Sequence, residues 1–142
     1  MKKYKIGYTQ GTFDMFHIGH LNLLHQASEL CERLIVGVNT DQLVSEYKHK
    51  TPVVNEQDRA AIIRELRCVD EVVLCDTLKK TNAWQQLHFD VVFIGSDWKG
   101  DERWKQTEID LKPLGAEVVY LRHTEGVSSS LLREKENNKI ID

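Results

Sequence analysis

Five short apolar runs, separated by stretches of helical spacing, restrict this chain more than any other feature. They are residues 4–8, Leu34-Ile35-Val36-Gly37-Val38, Val72-Val73-Leu74, Val91-Val92-Phe93-Ile94 and Val118-Val119-Tyr120-Leu121. The last four are continuous rather than alternating, as in strands buried on both faces of a parallel sheet. Between them, residues 20–31 place Leu21, Leu24, Ala27 and Leu30 or Cys31 on one helical face. Residues 56–66 do the same with Ile62, Ile63 and Leu66, behind Asn55 as a cap and an acidic first turn. Fainter helical patterns cover residues 80–87 and 105–114. Strand and helix alternating over one domain length predict an α/β fold, a single Rossmann-like doubly wound domain with a five-stranded parallel sheet. The 142 residues suffice for one real core. The expected domain is 1–133, followed by a charged C-terminal tail over 134–142 whose composition favours partial disorder.

A net charge of −3 gives no reason to expect nucleic acid or a membrane surface as partner, so any phosphate ligand is held by local groups. The three cysteines, Cys31, Cys68 and Cys75, form no CxxC pair and lie in or beside apolar runs. That spacing predicts buried reduced thiols rather than a disulfide or a metal site. The basic start, Met1-Lys2-Lys3-Tyr4-Lys5, leads into no apolar leader segment, and no run approaches membrane-spanning length. The expected location is cytoplasmic.

Ligands of doubly wound sheets sit beyond the carboxyl ends of the strands, where the strand order reverses. The unusual polar segments fall there: 9–20 after the first strand, 95–100 after the fourth and 122–130 after the fifth. The first contains Thr12-Phe13-Asp14-Met15-Phe16-His17-Ile18-Gly19-His20. A helix beginning near Ile18 brings His17 and His20 together on its first turn. Unpaired N–H groups and the positive helix end favour a phosphate there, Gly19 allows close approach, and imidazoles add directional donors. For an isolated H-x-x-H, a capping histidine beside a packing histidine is the simpler reading. A metal site needs a third ligand, and no other His or Cys has suitable spacing.

The pattern G-T-F-D-x-x-H-x-G-H resembles the signature of the HxGH nucleotidyltransferase superfamily. Val69-Asp70-Glu71-Val72, Gly95-Ser96-Asp97-Trp98-Lys99-Gly100 and Thr124-Glu125-Gly126-Val127-Ser128-Ser129-Ser130 follow in order. Their spacings are similar to those of the cytidylyltransferases, and of the glycerol-3-phosphate cytidylyltransferase branch in particular. The resemblance spans residues 2–133. It implies transfer of CMP from CTP to a small phosphorylated alcohol, with Mg²⁺ accompanying the triphosphate and a homodimeric assembly. His17 and His20 then act on the phosphates, with Thr12, Phe13, Asp14 and Gly19 around the nucleotide.

In the basic segment Tyr47-Lys48-His49-Lys50-Thr51-Pro52, Lys48 and Lys50 match lysines that the family uses on phosphates. A solvated loop is the plain alternative. Arg67 and Asp70 close the second helix and its loop; the resemblance places them near the base or across a subunit interface. The resemblance assigns Asp97 to the nucleotide site, although the family commonly has two acidic residues where Ser96 and Asp97 stand. Trp98 offers a flat face for substrate or a lid over the core. His123, Thr124, Gly126, Ser128 and Ser129 match the loop that holds the β- and γ-phosphates. An arginine typical before Thr-Glu-Gly is replaced by His123, with Arg122 one residue earlier.

The expected chemistry is in-line attack of a substrate phosphate oxygen on the α-phosphate, releasing pyrophosphate. A phosphate monoester is already ionised near neutral pH, so positioning and electrostatic stabilisation suffice, and Asp14 is the nearest carboxylate to influence a Mg²⁺ ion. Two rivals share the fold: an adenylyltransferase acting on a sugar phosphate or cofactor precursor, and a non-catalytic nucleotide-binding protein. A dehydrogenase is disfavoured because the first loop lacks G-x-G-x-x-G.

Overall fold

The computed structural model describes residues 2–122. The expected tail and the segment holding His123, Thr124, Gly126, Ser128 and Ser129 lie outside the described residues.

Five parallel strands form one sheet: β1 (Tyr4–Gly11), β2 (Cys31–Asn39), β3 (Glu71–Cys75), β4 (Val91–Gly95) and β5 (Glu117–Leu121). Their order is β3-β2-β1-β4-β5, so the chain reverses direction of growth between β1 and β4. The helices are α1 (Ile18–Leu30), α2 (Asp41–Lys48), α3 (Glu56–Arg64), α4 (Lys80–Leu87) and α5 (Glu102–Leu111). The doubly wound Rossmann-like sheet expected from the apolar runs is what forms.

Two apolar layers hold it. On one face, Leu24 and Ala27 of α1 and Ala60 and Ile63 of α3 pack with Val36, Val38 and Phe93. On the other, Tyr8, Ile35, Phe89, Val92 and Leu111 pack with Trp84 of α4 and Trp104 of α5. The Tyr8 and Phe89 rings stack at 5.0 Å. The glycine interrupting the second apolar run is required by this packing: a Cβ at Gly37 would run into the Tyr8 hydroxyl and the Cys75 sulfur.

The structure amends several expectations. Burial on both faces holds for the three inner strands, whereas the edge strands β3 and β5 are only partly covered. Helix α2 replaces the front of the basic loop. Thr40 caps it by accepting the Leu43 N–H, Leu43 and Val44 fill its buried side, and Lys48 closes its last turn. Its apolar stripe is too short to show as a helical period. His49 then stops it in the left-handed region, with φ 58°. Helix α5 begins at Glu102, because Asp101 accepts the Arg103 N–H, and residues Lys112–Leu114 tighten into a 3₁₀ turn. Asn55 caps α3 as expected, by accepting the Asp58 N–H at 2.9 Å. All three cysteines are free, but only Cys31 is buried. No helix among the described residues is long and apolar enough to cross a membrane.

Candidate functional site

Strand β1 pairs with β4 only at Gly7 with Val91 and Tyr8 with Val92, while its pairing with β2 continues to Gly11 with Val38. Beyond Tyr8 the two central strands therefore part, and the Thr9 hydroxyl crosses the gap to donate to the Phe93 carbonyl at 2.9 Å. A cavity of about 400 Å³ opens here, the size of a small-ligand site at a topological switch point. Its walls include Thr12, Phe13, Asp14, His20, Lys48, Lys50, Lys80, Trp98 and Arg103.

At the start of α1, the two histidines cap each other. His17 Nδ1 accepts the Gly19 N–H at 3.0 Å, and His20 Nδ1 accepts the His17 N–H at 3.2 Å. This is a capping box built from imidazoles in place of Ser and Glu. Their rings stack with centroids 3.8 Å apart. A backbone N–H can only donate, so each neutral ring carries its proton on Nε2. The expectation of unpaired backbone donors at this helix start is thereby modified. The rings take up those donors; His20 lines the cavity, whereas His17 Nε2 is buried.

Burial, then repulsion from His17, presses the His20 pKa down to about 4, with Asp14 acting weakly in the opposite sense. His20 is therefore a neutral donor at physiological pH. In the unfolded chain it binds a proton from about pH 6.5, and in the folded chain only near pH 4. Between those values the unfolded state holds more protons, so stability rises with pH. The contribution is complete above about pH 6.5 and is lost as pH falls toward 4. Melting temperatures of the wild type and His20→Gln should converge as pH drops from 7 to 4.5; a constant difference would contradict this.

The loop before α1 is held in an uncommon shape. Phe13 and Met15 have φ of 54° and 50°, values that non-glycine side chains rarely adopt. Between them the Asp14 carboxylate accepts two N–H groups, from Val53 at 2.8 Å and Val54 at 2.9 Å. That pair fastens the segment carrying Lys50 to the signature loop. Asp14→Asn keeps one acceptor oxygen and loses the charge. It should raise the KM for phosphate-bearing substrates about tenfold while leaving the melting temperature within a few degrees. Steady-state kinetics beside a thermal melt test this, and an unchanged KM would refute it.

Arg59 is the residue that sequence reading missed. Its side chain is fully buried on α3. Nε donates to the Val54 carbonyl at 2.8 Å, and Nη1 to the carbonyls of Thr12 at 2.7 Å and Asn39 at 2.8 Å. Nη2 meets Asp41 Oδ1 at 2.6 Å. One guanidinium thus ties together the signature loop, the end of β2, the start of α2 and the lysine segment. The available signal was its position: Arg59, Ala60 and Ile63 share the core face of α3. Gln10 and Asn39 were also missed. They hydrogen-bond each other at 2.8 Å under the cavity, with Asn39 extending to Thr12 and Tyr47.

Of the residues singled out from sequence, Thr12, Phe13, Asp14, His20, Lys48, Lys50 and Trp98 line the cavity. His17 stacks against His20 just outside that lining, with Gly19 beside it. Asp97 lies on the exposed turn after β4 and is not part of the wall. Arg67 is exposed in the turn before β3, at the amino end of the sheet and away from the cavity. Asp70 in that turn fastens β3 to β2. Its carboxylate accepts the Leu34 N–H at 2.7 Å, and its own N–H donates to the Leu34 carbonyl.

Residues 8–135 match the cytidylyltransferase-like family profile. The chain belongs to the cytidylyltransferase-like family. Among curated proteins it is 32% identical over 128 residues to glycerol-3-phosphate cytidylyltransferase of Staphylococcus aureus. That match covers 89% of this chain and 91% of that protein. It is also 45% identical over 95 residues to the bifunctional protein HldE of Caulobacter vibrioides, covering 66% of this chain and 20% of HldE. The chain thus spans about a fifth of the length of that relative. Among solved structures, the lipopolysaccharide core biosynthesis protein of Thermoplasma volcanium superposes with a TM-score of 0.71 at 27% identity. That superposition covers 85% of this chain and 97% of the other. These relatives establish a cytidylyltransferase-like domain without favouring the glycerol-3-phosphate branch over HldE.

Proposed function

We propose that this cytidylyltransferase-like chain transfers CMP from CTP to a small phosphorylated alcohol, glycerol 3-phosphate foremost, and releases pyrophosphate. The observation that carries this reading is the mutually capped pair His17 and His20 at the edge of a cavity that also receives Lys48 and Lys50. The near full-length match to a glycerol-3-phosphate cytidylyltransferase supports the choice of substrates.

In this reading the triphosphate lies along the start of α1. His20 donates from Nε2 to oxygens on which charge accumulates as the α-phosphorus to pyrophosphate bond breaks, and His17, whose own Nε2 is buried, holds that ring by capping and stacking. A neutral, preset donor costs no reorganisation at that moment. Lys48, at the end of α2, and Lys50 beyond it offset the charge that two phosphate-bearing substrates bring together. The acceptor is its own nucleophile, so the chain needs only to align it. Both Asp14 oxygens accept backbone N–H groups, and no three-ligand cluster occurs among the described residues. A divalent cation, Mg²⁺ foremost, would accompany the triphosphate and offset its charge. The loop over 123–129 is assigned to the nucleotide by resemblance, Arg67 and Asp97 stand outside the cavity wall, and a homodimer accompanies the reading.

The test is pyrophosphate release by purified protein with CTP or ATP against a panel of phosphorylated alcohols. CTP with glycerol 3-phosphate should give the highest kcat/KM. Preference for ATP, or no release with any pair, would refute the reading.

A further inference from the structure

Beneath the cavity a chain of polar side chains runs from the edge strand β3 to the signature loop. Its middle members, Tyr8, Gln10 and Asn39, are all buried. Tyr8 donates its phenolic proton to Gln10 Oε1 at 2.8 Å, and Gln10 Nε2 donates to Asn39 Oδ1 at 2.8 Å. Asn39 Nδ2 then donates to Thr12 Oγ1 at 3.4 Å and to Tyr47 Oη at 3.3 Å. Those two hydroxyls meet each other at 3.2 Å, and both line the cavity.

The direction of every proton in this chain follows from one backbone group. Gln10 Nε2 also donates to the Thr77 carbonyl at 2.9 Å, and a carbonyl can only accept. The Gln10 amide is therefore turned with its nitrogen toward Thr77 and Asn39, and both of its protons are used. Its oxygen accepts from Tyr8, so Cys75 Sγ, 3.1 Å from the Tyr8 oxygen, is left to donate the thiol proton. Burial pushes the Tyr8 phenol far above its ordinary range, so its own proton stays in place. Asn39 must accept through Oδ1, and its two amide protons go to Thr12 and Tyr47. The two hydroxyls then hold two protons and share one mutual contact. One O–H is left over, with no acceptor among the described residues.

Every link donates toward the cavity, and each polarises the next, which strengthens the last donor. The bonds as far as Asn39 are short, whereas the three around the hydroxyls are 3.2 to 3.4 Å. Such slack is usual where a bound ligand draws the final geometry tight. Lys48 Nζ lies 5.6 Å from the Tyr47 ring centroid, so an oxygen arriving here meets a cation as well as a hydroxyl. We propose that Tyr47 and Thr12 act as one shared hydroxyl donor, set by Gln10 and Asn39, to a substrate phosphate oxygen beside Lys48. This rests on the transferase reading above. It makes Tyr47 a binding residue and makes Gln10 and Asn39 positioning residues. Either hydroxyl can accept from Asn39 and supply the last proton, so each stands in for the other when one is lost.

A double-mutant cycle tests this. Calorimetry follows binding of CTP and of glycerol 3-phosphate, each alone and without turnover, to the wild type, Tyr47→Phe, Thr12→Val and the double variant. Thermal melts confirm that each is folded. Each single variant should keep its affinities within about threefold, whereas the double variant should bind at least one ligand about tenfold or more weakly, beyond the product of the singles. Thr12→Ser in the Tyr47→Phe background keeps one hydroxyl and should retain the affinity that Thr12→Val loses there. A purely structural role would lower the melting temperature without this coupling in affinity. Additive losses for both ligands, a single variant as weak as the double, or no rescue by serine each overturns the shared donor. Pyrophosphate release by the wild type would still uphold the transferase reading in those cases. Coupled losses of affinity beside a wild type that releases no pyrophosphate leave the donor standing and overturn the transferase reading.

Discussion

Turnover by His20→Ala should fall about 10²-fold or more relative to the wild type, as happens when a preset donor to developing charge is removed. The structure adds a complication, because the same ring closes the cap of α1 through Nδ1. Alanine removes both the cap, worth about 1 kcal/mol, and the donor. Two further variants separate these effects. Asparagine places its oxygen near the Nδ1 position and keeps a cap acceptor, but its amide does not reach where Nε2 lies. Glutamine reaches the Nε2 position with its amide and leaves the acceptor position unfilled. His20→Asn should therefore recover stability without turnover, and His20→Gln should recover part of the turnover with less stability. Thermal melts beside pyrophosphate-release rates give both readings. Near-normal turnover in purified His20→Ala would remove the histidine from the mechanism.

The second large effect is expected at Arg59. Arg59→Met has similar length and no charge, yet it should cost about 3–5 kcal/mol. It strips the buried carbonyls of Thr12, Asn39 and Val54 of a donor and leaves Asp41 without its cation. In a domain of this size that is roughly a 10 °C fall in melting temperature. Arg59→Lys should rescue little, because one ammonium cannot reach four acceptors that a planar fork spans. Asp41→Asn should be milder. Its carboxylate is partly exposed, and Glu56 exchanges further hydrogen bonds with the start of α2. Denaturant unfolding measures each change, and a loss below about 1 kcal/mol in Arg59→Met would show that water replaces the guanidinium.

Strands and long helices were readable because burial writes itself into composition. Val91-Val92-Phe93-Ile94 has to be apolar on both sides to lie between two helical layers. The edge strands were over-read by the same rule, since a run such as Val72-Val73-Leu74 looks identical whether one face is covered or two. Leu74 is in fact 46% exposed. Helix α2 escaped because eight residues with one buried pair produce no period. The signature segment, read as a ligand loop, does border the cavity, but its two histidines also have a structural role. Their mutual cap also serves folding, so the catalytic reading rests on the pair together with Lys48 and Lys50 at one cavity and not on the histidines alone. Arg59 poses another difficulty. It matters through what it touches far along the chain, and spacing within one element cannot reveal a partner forty-seven residues away.

The clamp at Asp14 has a consequence for how far the lysine segment can travel. The chain leaves α2 at the left-handed His49 and is fastened again at Val53. Only residues 50–52 lie between, and Pro52 has its own φ fixed. Three residues reach about 10 Å when fully extended, and far less of that is free excursion between fixed ends. Lys50 therefore swings on a short leash rather than sweeping across the cavity. In the proposed reaction, any phosphate that Lys50 neutralises would have to come within that small arc.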